Sequence, residues 1–457
     1  MKKLLFLFFS IFLTVYSANS QTIYGCTDSL ALNFDPLANV DDSTCCGSGI
    51  SLPPFGTQTG QNIVINNEAL AGTSVSLNDD ATIVAIGDND VHTINGQGTG
   101  RVSIYQYNGS SWNQLGQDID GEGPDSDEFG YSLSLSGSGT VLAVGAPGNN
   151  GGGIGSNAGH VRIYNYNGSA WVQMGQDIDG ESIYDKFGYS VSISSDGNIV
   201  AIGSPWAEGL SAGGQSGFVK VYSWNGTSWI QIGQNIDGIQ GNEFSGYSVS
   251  LSNLGNRLAI GAYNNNQNGT ARGCTRIYEN INGAWSQIGQ NIFGVDNYDR
   301  SGKSVSLSGN GNRVAIGAEG NNDGGTDAGH VRIFEYTNAI WSQIGPDIDG
   351  KVAQEGICKV SLNEDGDIVA IRANQPASEL ARIYNFDGLS WNQIGNDLSS
   401  PRVSSISLNK YGSFIANGNV WNDGASIFST GIGAHYTSPP CSGCTDSLAV
   451  NYDPYSL

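Results

Sequence analysis

The sequence predicts an all-β protein: a seven-bladed β-propeller of four-stranded blades, closed by an N-terminal strand that completes the last blade. Three observations carry this expectation. Of 457 residues, 66 are Gly and only 13% are charged, a balance that favours turns over helix. The signature Ser-Val-Ser-Leu at residues 74–77 recurs with small changes at 132–135, 190–193, 248–251, 304–307, 359–362 and 405–408, a period that signals a repeat architecture rather than several unlike domains. Each recurrence opens a set of four stretches with period-2 alternation and β-branched residues, the pattern of one antiparallel propeller blade.

In chain order, Lys2 and Lys3 precede the apolar run Leu4 to Val15, and Ala18-Asn19-Ser20 offers small residues before Gln21. Residues 1–20 therefore read as a secretory signal peptide, too short in its apolar stretch to span a membrane. A small cysteine module is expected at 21–48, the propeller at 55–432, and the start of a second, truncated cysteine module at 441–457. Secretion or display at a bacterial cell surface is the localisation this order predicts.

The second unit shows the blade. Its strands are expected at Tyr131 to Ser136, Val141 to Gly145, His160 to Tyr166 and Trp171 to Gly175. The third and fourth are joined by Asn167-Gly168, a dipeptide that supplies the positive φ angles of a type I′ hairpin. Equivalent turns stand at Asn108-Gly109, Asn225-Gly226, Asn282-Gly283 and Asp387-Gly388. The aromatic after each turn (Trp112, Trp171, Trp229, Trp285, Trp341, Trp391) is expected to pack between blades, burying about 200 Å² each. The seventh unit has no such Trp strand, whereas Gln58-Thr59-Gly60-Gln61-Asn62-Ile63 matches the fourth-strand pattern Gln231-Ile232-Gly233-Gln234-Asn235-Ile236. This N-terminal segment is expected to complete the seventh blade and to remove the open sheet edges.

Phe129-Gly130 followed by Gly145-Ala146-Pro147, and Phe187-Gly188 followed by Gly203-Ser204-Pro205, resemble the FG-GAP repeats of integrin α-subunit-like propellers. The resemblance covers residues 55–432 and weakens where Phe-Gly becomes Ser245-Gly246 and Ser301-Gly302. It implies extracellular adhesion or ligand binding without catalysis. The calcium loops of that family do not carry over, because Ser195-Asp196-Gly197-Asn198 and Asn310-Gly311-Asn312 are short turns with too few carboxylates for a calcium shell.

Strand parity places the two-to-three and four-to-one connections on one face, and these are the long ones, so ligand binding is expected there. The motif Asp118-Ile119-Asp120-Gly121 recurs at Asp177-Ile178-Asp179-Gly180, Asn235-Ile236-Asp237-Gly238 and Asp347-Ile348-Asp349-Gly350, read as part of the four-to-one loops. Paired carboxylates make Asp118, Asp120, Asp177, Asp179, Asp237, Asp347 and Asp349 metal candidates, with Asp125, Asp127 and Glu128 adding ligands in the richest copy; calcium is the cation considered. The competing reading, that these residues cap strands and shape turns, is favoured because Asp-x-Asp-Gly lacks the full spacing of a calcium loop. No other cofactor is expected. His160 and His330 share one repeat position before Val-Arg-Ile, which points to a strand role rather than acid–base chemistry, and no carboxylate pair stands out as a glycosidase couple.

Gly25-Cys26-Thr27-Asp28, continuing to Cys45, and Gly443-Cys444-Thr445-Asp446 resemble small extracellular modules of bacterial surface proteins exported by the type IX route. Export permits disulfides. Cys26 to Cys45 would enclose 18 residues, worth about 3 kcal/mol of loop entropy. Cys46 and Cys441 flank the propeller and form a possible second pair, and Cys274 and Cys358 are expected as buried free thiols. The formal net charge of −23 argues against nucleic acid as a partner. The expected partner is an extracellular protein or polysaccharide, bound by a monomeric propeller within a larger chain. A hydrolase or lyase acting on polysaccharide at the same face, and a structural spacer, are the alternatives.

Overall fold

The computed structural model describes residues 53–431 apart from 66–70, 92, 94, 96–97, 123–125, 210–213, 376–377, 401–402 and 421–423, together with the backbone of two short strands near the N-terminus. Those two, Tyr24–Gly25 and Val40–Asp41, pair in parallel within a unit made of residues 1–51 and 436–457, separate from the compact unit 52–435. The signal-peptide segment and Cys26, Cys45, Cys46, Cys441 and Cys444 lie outside the described residues.

Residues 53–431 form seven antiparallel sheets in a ring, and the only helix among the described residues is the single 3-10 turn Gly151–Gly153. In the second blade the strands are Ser132–Leu135 innermost, then Val141–Ala146, His160–Tyr166 and an outer strand. The outer strand runs further than its sequence suggests. Trp171–Gln173 pairs with Tyr164 to Tyr166, and after a bulge Ile178–Asp179 pairs again with Val161 and His160. The Asp-Ile-Asp motif thus sits on the outer strand in the first, second and fifth blades, not in the four-to-one loop; Asn235-Ile236-Asp237 does the same in the third.

Second strands such as Val141–Ala146 are buried along their whole length because a neighbouring blade covers each face. Seven apolar clusters follow, one per blade junction; that between the second and third blades holds Val161, Ile163, Phe187, Val200, Ile202 and Trp229. The Phe-Gly and Gly-Ala-Pro elements meet at these junctions. A Cβ on Gly145 would stand 2.0 Å from the carbonyl oxygen of Gly188, itself at φ +89°, so both positions need glycine for the blades to close up.

Two sets of hydrogen bonds lace the ring. In every inner strand the second Ser of the signature accepts from an amide of the next blade, from Leu135 N–H to Ser76 Oγ at 3.0 Å round to Leu77 N–H to Ser407 Oγ at 3.1 Å. At the rim each Trp indole donates to a carbonyl of the preceding blade, as Trp229 Nε1 does to Met174 O at 2.7 Å. Beside it a Gln side chain brackets the Trp backbone: Gln176 Nε2 donates to Trp229 O at 2.9 Å and its Oε1 accepts from Trp229 N–H at 3.2 Å. These six tryptophans are buried packing residues.

The N-terminal strand closes the ring. Ile63–Val64 pairs antiparallel with Gly424 and Ala425 of the third strand of the seventh blade, and Gln58 bridges Phe428. Thr59 O accepts the Trp112 indole at 2.8 Å, and Gln61 brackets Trp112 as Gln176 brackets Trp229.

Candidate functional site

The long connections share the face where the inner strands begin, and they are rigidly held. After the second blade, Tyr184, Lys186 and Phe187 donate their amides to Ser156 O, Asn157 O and Ala158 O at 2.9 to 3.0 Å, tying the four-to-one loop to the two-to-three loop. The same lacing joins Tyr298 and Arg300 to Thr270 O and Ala271 O. It forces bulky residues into the left-handed region: Tyr184 and Lys186, Asn242 and Phe244, Tyr298 and Arg300 all have φ between +52° and +68°. Such conformations cost about 1–3 kcal/mol each and persist where the surroundings impose them, commonly at binding sites.

Ser126 and Glu128, and Gln354 and Gly356, form two further left-handed pairs, and between the members of the five pairs lie the buried carboxylates Asp127, Asp185, Glu243, Asp299 and Glu355. Asp299 Oδ2 accepts from Val295 and Asp296 amides at 2.7 and 2.8 Å, and Glu243 takes the Ile239 amide and a bidentate Arg276 at 2.9 Å. Burial pushes the Asp185 carboxyl up to about 6. Asp127 belongs to this loop-holding set, accepting the Glu122 amide at 3.2 Å, and Glu128 pairs with Lys186 at 3.7 Å. Asp125 lies outside the described residues.

At the centre of this face the inner-strand starts line a cavity of about 330 Å³, rimmed by Thr73, Tyr131, Tyr189, Tyr247, Lys303 and Lys359. The tyrosines begin a continuous aromatic array. Tyr189 lies 4.8 Å from Tyr131, 4.9 Å from Tyr247 and 4.7 Å from Trp206 between ring centres. Phe244 stacks on Tyr263 at 5.5 Å, and Tyr263 meets Tyr247 edge-on at 4.5 Å. All six rings are half-buried, so each keeps part of its surface in solvent. Lys303 caps the array 4.8 Å above Tyr263 and pairs with Glu319 at 2.8 Å. Burial raises the pKa of the Tyr189 hydroxyl and pushes that of Tyr131 up to about 12, so these rings stay neutral. Burial and Arg372 bring the Lys359 ammonium down to about 8.

The motif carboxylates stand at the rim of the same face, and their settings differ by blade. Asp120 and Asp118 are drawn to Arg101 at 2.6 and 3.6 Å. Asp177 is held by Arg162 at 3.0 and 2.7 Å, while Asp179 faces His160 with 4.0 Å between Oδ1 and Nδ1. Asp237 stands opposite Phe218 and its buried Oδ1 has no hydrogen-bond partner. In the fifth blade Asp347 and Asp349 gather with His330 and Asp323. Burial and the neighbouring arginines depress both imidazoles, His160 to about 4.

Sequence reasoning kept the histidines apart from the Asp-x-Asp motif, and it missed the aromatic array. The signal for the array was Gly-Tyr-Ser at 130–132, 188–190 and 246–248, with Lys303 at the same place in the fifth blade. Cys274 takes the histidine position in the fourth blade; it and Cys358 are buried free thiols whose pKa burial raises, Cys274 to about 12, which leaves them protonated and unreactive.

No protein-family model and no curated protein sequence matches this chain. Among solved structures it is similar to hydrazine synthase of Kuenenia stuttgartiensis, at 11% identity and a TM-score of 0.54 over 82% of this chain and 99% of that one. It is likewise similar to the β-propeller domain of Cps50 (Swd1) of Myceliophteria thermophila, at 11% identity and a TM-score of 0.51 over 81% and 99%. A protein of unknown function from Desulfotomaculum acetoxidans aligns at 12% identity and a TM-score of 0.50 over 80% and 94%. At such identities the likeness is one of fold alone.

Proposed function

We propose that this protein is a secreted or cell-surface binding protein that holds a polysaccharide across the mouth of the propeller channel. The observation that carries the reading is the array of Tyr131, Tyr189, Trp206, Phe244, Tyr247 and Tyr263, half-exposed on loops that hydrogen bonds and left-handed residues keep in place. Flat aromatic faces offer the apolar sides of sugar rings a stacking surface, while phenolic hydroxyls and Lys359 supply the few polar contacts that orient a ligand. A rigid array also loses little conformational entropy on binding. Around it the four-to-one loops present Ile183, Tyr184, Ile239 and Tyr298, each more than half exposed, which widens the apolar surface of this face.

The signal-like segment 1–20, the FG-GAP resemblance and the Gly-Cys-Thr-Asp modules support export and an adhesive role, with Cys26–Cys45 as the disulfide to seek by non-reducing peptide mapping. The binding reading is tested by titrating the purified protein against a panel of polysaccharides, with product analysis alongside. Retention without turnover is expected, and Trp206→Ala and Tyr189→Ala should each weaken binding by about tenfold, the loss of roughly 1.4 kcal/mol of stacking. Products released from the polysaccharide would replace this reading with the hydrolase or lyase alternative; no retention on any polysaccharide would overturn it.

A further inference from the structure

Independently of the glycan reading, we propose that the rim of the fifth blade is a binding site for one divalent transition-metal ion of the zinc class, held by His330, Asp347, Asp349 and Asp323. One donor atom from each of the four lies within 4.8 Å of the others. Three parts of the blade supply them. His330 opens the third strand, Asp347 and Asp349 flank the end of the outer strand with Asp349 directly opposite His330, and Asp323 comes from the two-to-three loop.

The imidazole is what separates this group from an ordinary acidic patch. His330 is fully buried, yet neither ring nitrogen has a hydrogen-bond partner, and Nδ1 stands 3.4 Å from Asp347 Oδ2 without the alignment of a hydrogen bond. Leaving a polar ring orphaned in the interior is costly, and such an exception calls for a missing partner. In the second blade His160, Asp177 and Asp179 also gather, but there the first carboxylate is already taken by an arginine. There Arg162 holds Asp177 with two hydrogen bonds, and a Glu122 carboxylate joins them. In the fifth blade the equivalent Arg332 donates instead to Phe293 O at 2.6 Å, leaving Asp347 with the Gln343 amide on Oδ1 and its Oδ2 toward the imidazole.

One imidazole nitrogen and three carboxylate oxygens form a four-donor set suited to zinc and its neighbours. Calcium, which takes six to eight oxygens, is a poor fit to a buried nitrogen ligand. A bound ion would tie the two-to-three loop to the third and outer strands, stiffening the rim without entering the channel.

The test is calorimetry of the metal-free full-length protein with Zn2+ and, in parallel, Ca2+, together with the absorption spectrum of the Co2+-loaded protein. The repeats themselves supply substitutions that the fold accepts: His330→Phe copies Phe218, and Asp347→Asn copies Asn235 and Asn291. Expected are one Zn2+ equivalent of about micromolar affinity or tighter, lost in His330→Phe and weakened at least about tenfold in Asp347→Asn, and a Zn2+-dependent rise in melting temperature in the parent protein that is absent in His330→Phe. The Co2+ spectrum should show visible bands of a nitrogen and oxygen site that vanish in His330→Phe, which distinguishes this ion from one held by the cysteines. Absence of Zn2+ binding, Zn2+ stoichiometry and affinity unchanged in both variants, or Ca2+ bound as tightly as Zn2+ at this site would each overturn the proposal. Glycan retention should be unaltered in His330→Phe, so the two readings fail separately.

Discussion

Replacing Gln61 by Ala removes one of the clasps that close the ring, and the same change at Gln176 removes an internal one. The two side chains do the same work. Gln61 donates to Trp112 O at 2.8 Å and accepts from Trp112 N–H at 3.0 Å; Gln176 makes the equivalent pair with Trp229 at 2.9 and 3.2 Å. Both glutamines face solvent, so water replaces part of what is lost, and two bonds at about 1 kcal/mol or less each give a cost of roughly 1–2 kcal/mol at either site. Where that cost appears should differ. At Gln61 the neighbouring strand is the first segment of the ring, joined to the blades on one side only, and can detach alone, so local opening becomes about 5- to 30-fold more frequent. At Gln176 both sides continue into complete blades. Hydrogen exchange read at Thr59, Gly56 and Ser429, whose amides bond across the closing pair, should accelerate by that factor in Gln61→Ala and not in Gln176→Ala. Equal acceleration at these amides in both variants, or none in Gln61→Ala, would refute the idea that the ring opens preferentially at its closing strand.

Pro346 stands where the other five tryptophan junctions have Gln, and Trp391 is the most exposed of the six rim tryptophans at 8%; Pro346→Gln should raise stability in urea by about 1 kcal/mol. Gly145→Ala would place a Cβ 2.0 Å from Gly188 O, and a loss of at least about 1–3 kcal/mol is expected in the same assay. Asp185 has a folded-state pKa near 6 against an ordinary 3.8, so the folded form prefers the proton. Its contribution is fully present below pH 3.8 and lost as pH rises through 6, which penalises the neutral-pH fold by no more than about 3 kcal/mol. Asp185→Asn should therefore stabilise at pH 7 and have no effect near pH 3.5, read by denaturation at both values.

The inner-strand signature and the rim tryptophans were legible because each is a local device repeated in phase, and even the displaced strand at 58–63 could be matched by its Gln and Gly positions. The hairpin type was not: among the Asn-Gly and Asp-Gly dipeptides only Asn282-Gly283 is the two-residue turn with both φ positive, whereas Asn167-Gly168 opens a four-residue loop between Tyr166 and Trp171 in which Asn167 Oδ1 accepts the Ser169 and Ala170 amides at 3.0 Å. The rim clusters were not. Four residues of the third strand, from Tyr164 to Val161, span six of the outer strand, from Gln173 to Ile178, and this bulge breaks the alternation that would have carried the strand on to Asp179. His160 and His330 consequently looked remote from the carboxylates they face. The aromatic array was hidden for another reason: Tyr131, Tyr189 and Tyr247 repeat exactly as core residues do, and only the position of the inner strand beside the channel tells a half-exposed repeat from a buried one.

The closing pair also decides how the ring responds to being pulled. The chain enters at Pro53, whose carbonyl oxygen accepts the Ser429 hydroxyl at 2.8 Å, and leaves just beyond Ser429, which exchanges backbone hydrogen bonds with Gly56 and Thr57 at 2.9 Å. Entry and exit therefore lie side by side on two antiparallel strands. A load applied through both strands' outer ends would peel them apart one bond at a time, the weakest way to strain a sheet, so the same closure that removes the open edges leaves the ring easier to unzip by pulling than to unfold by heat.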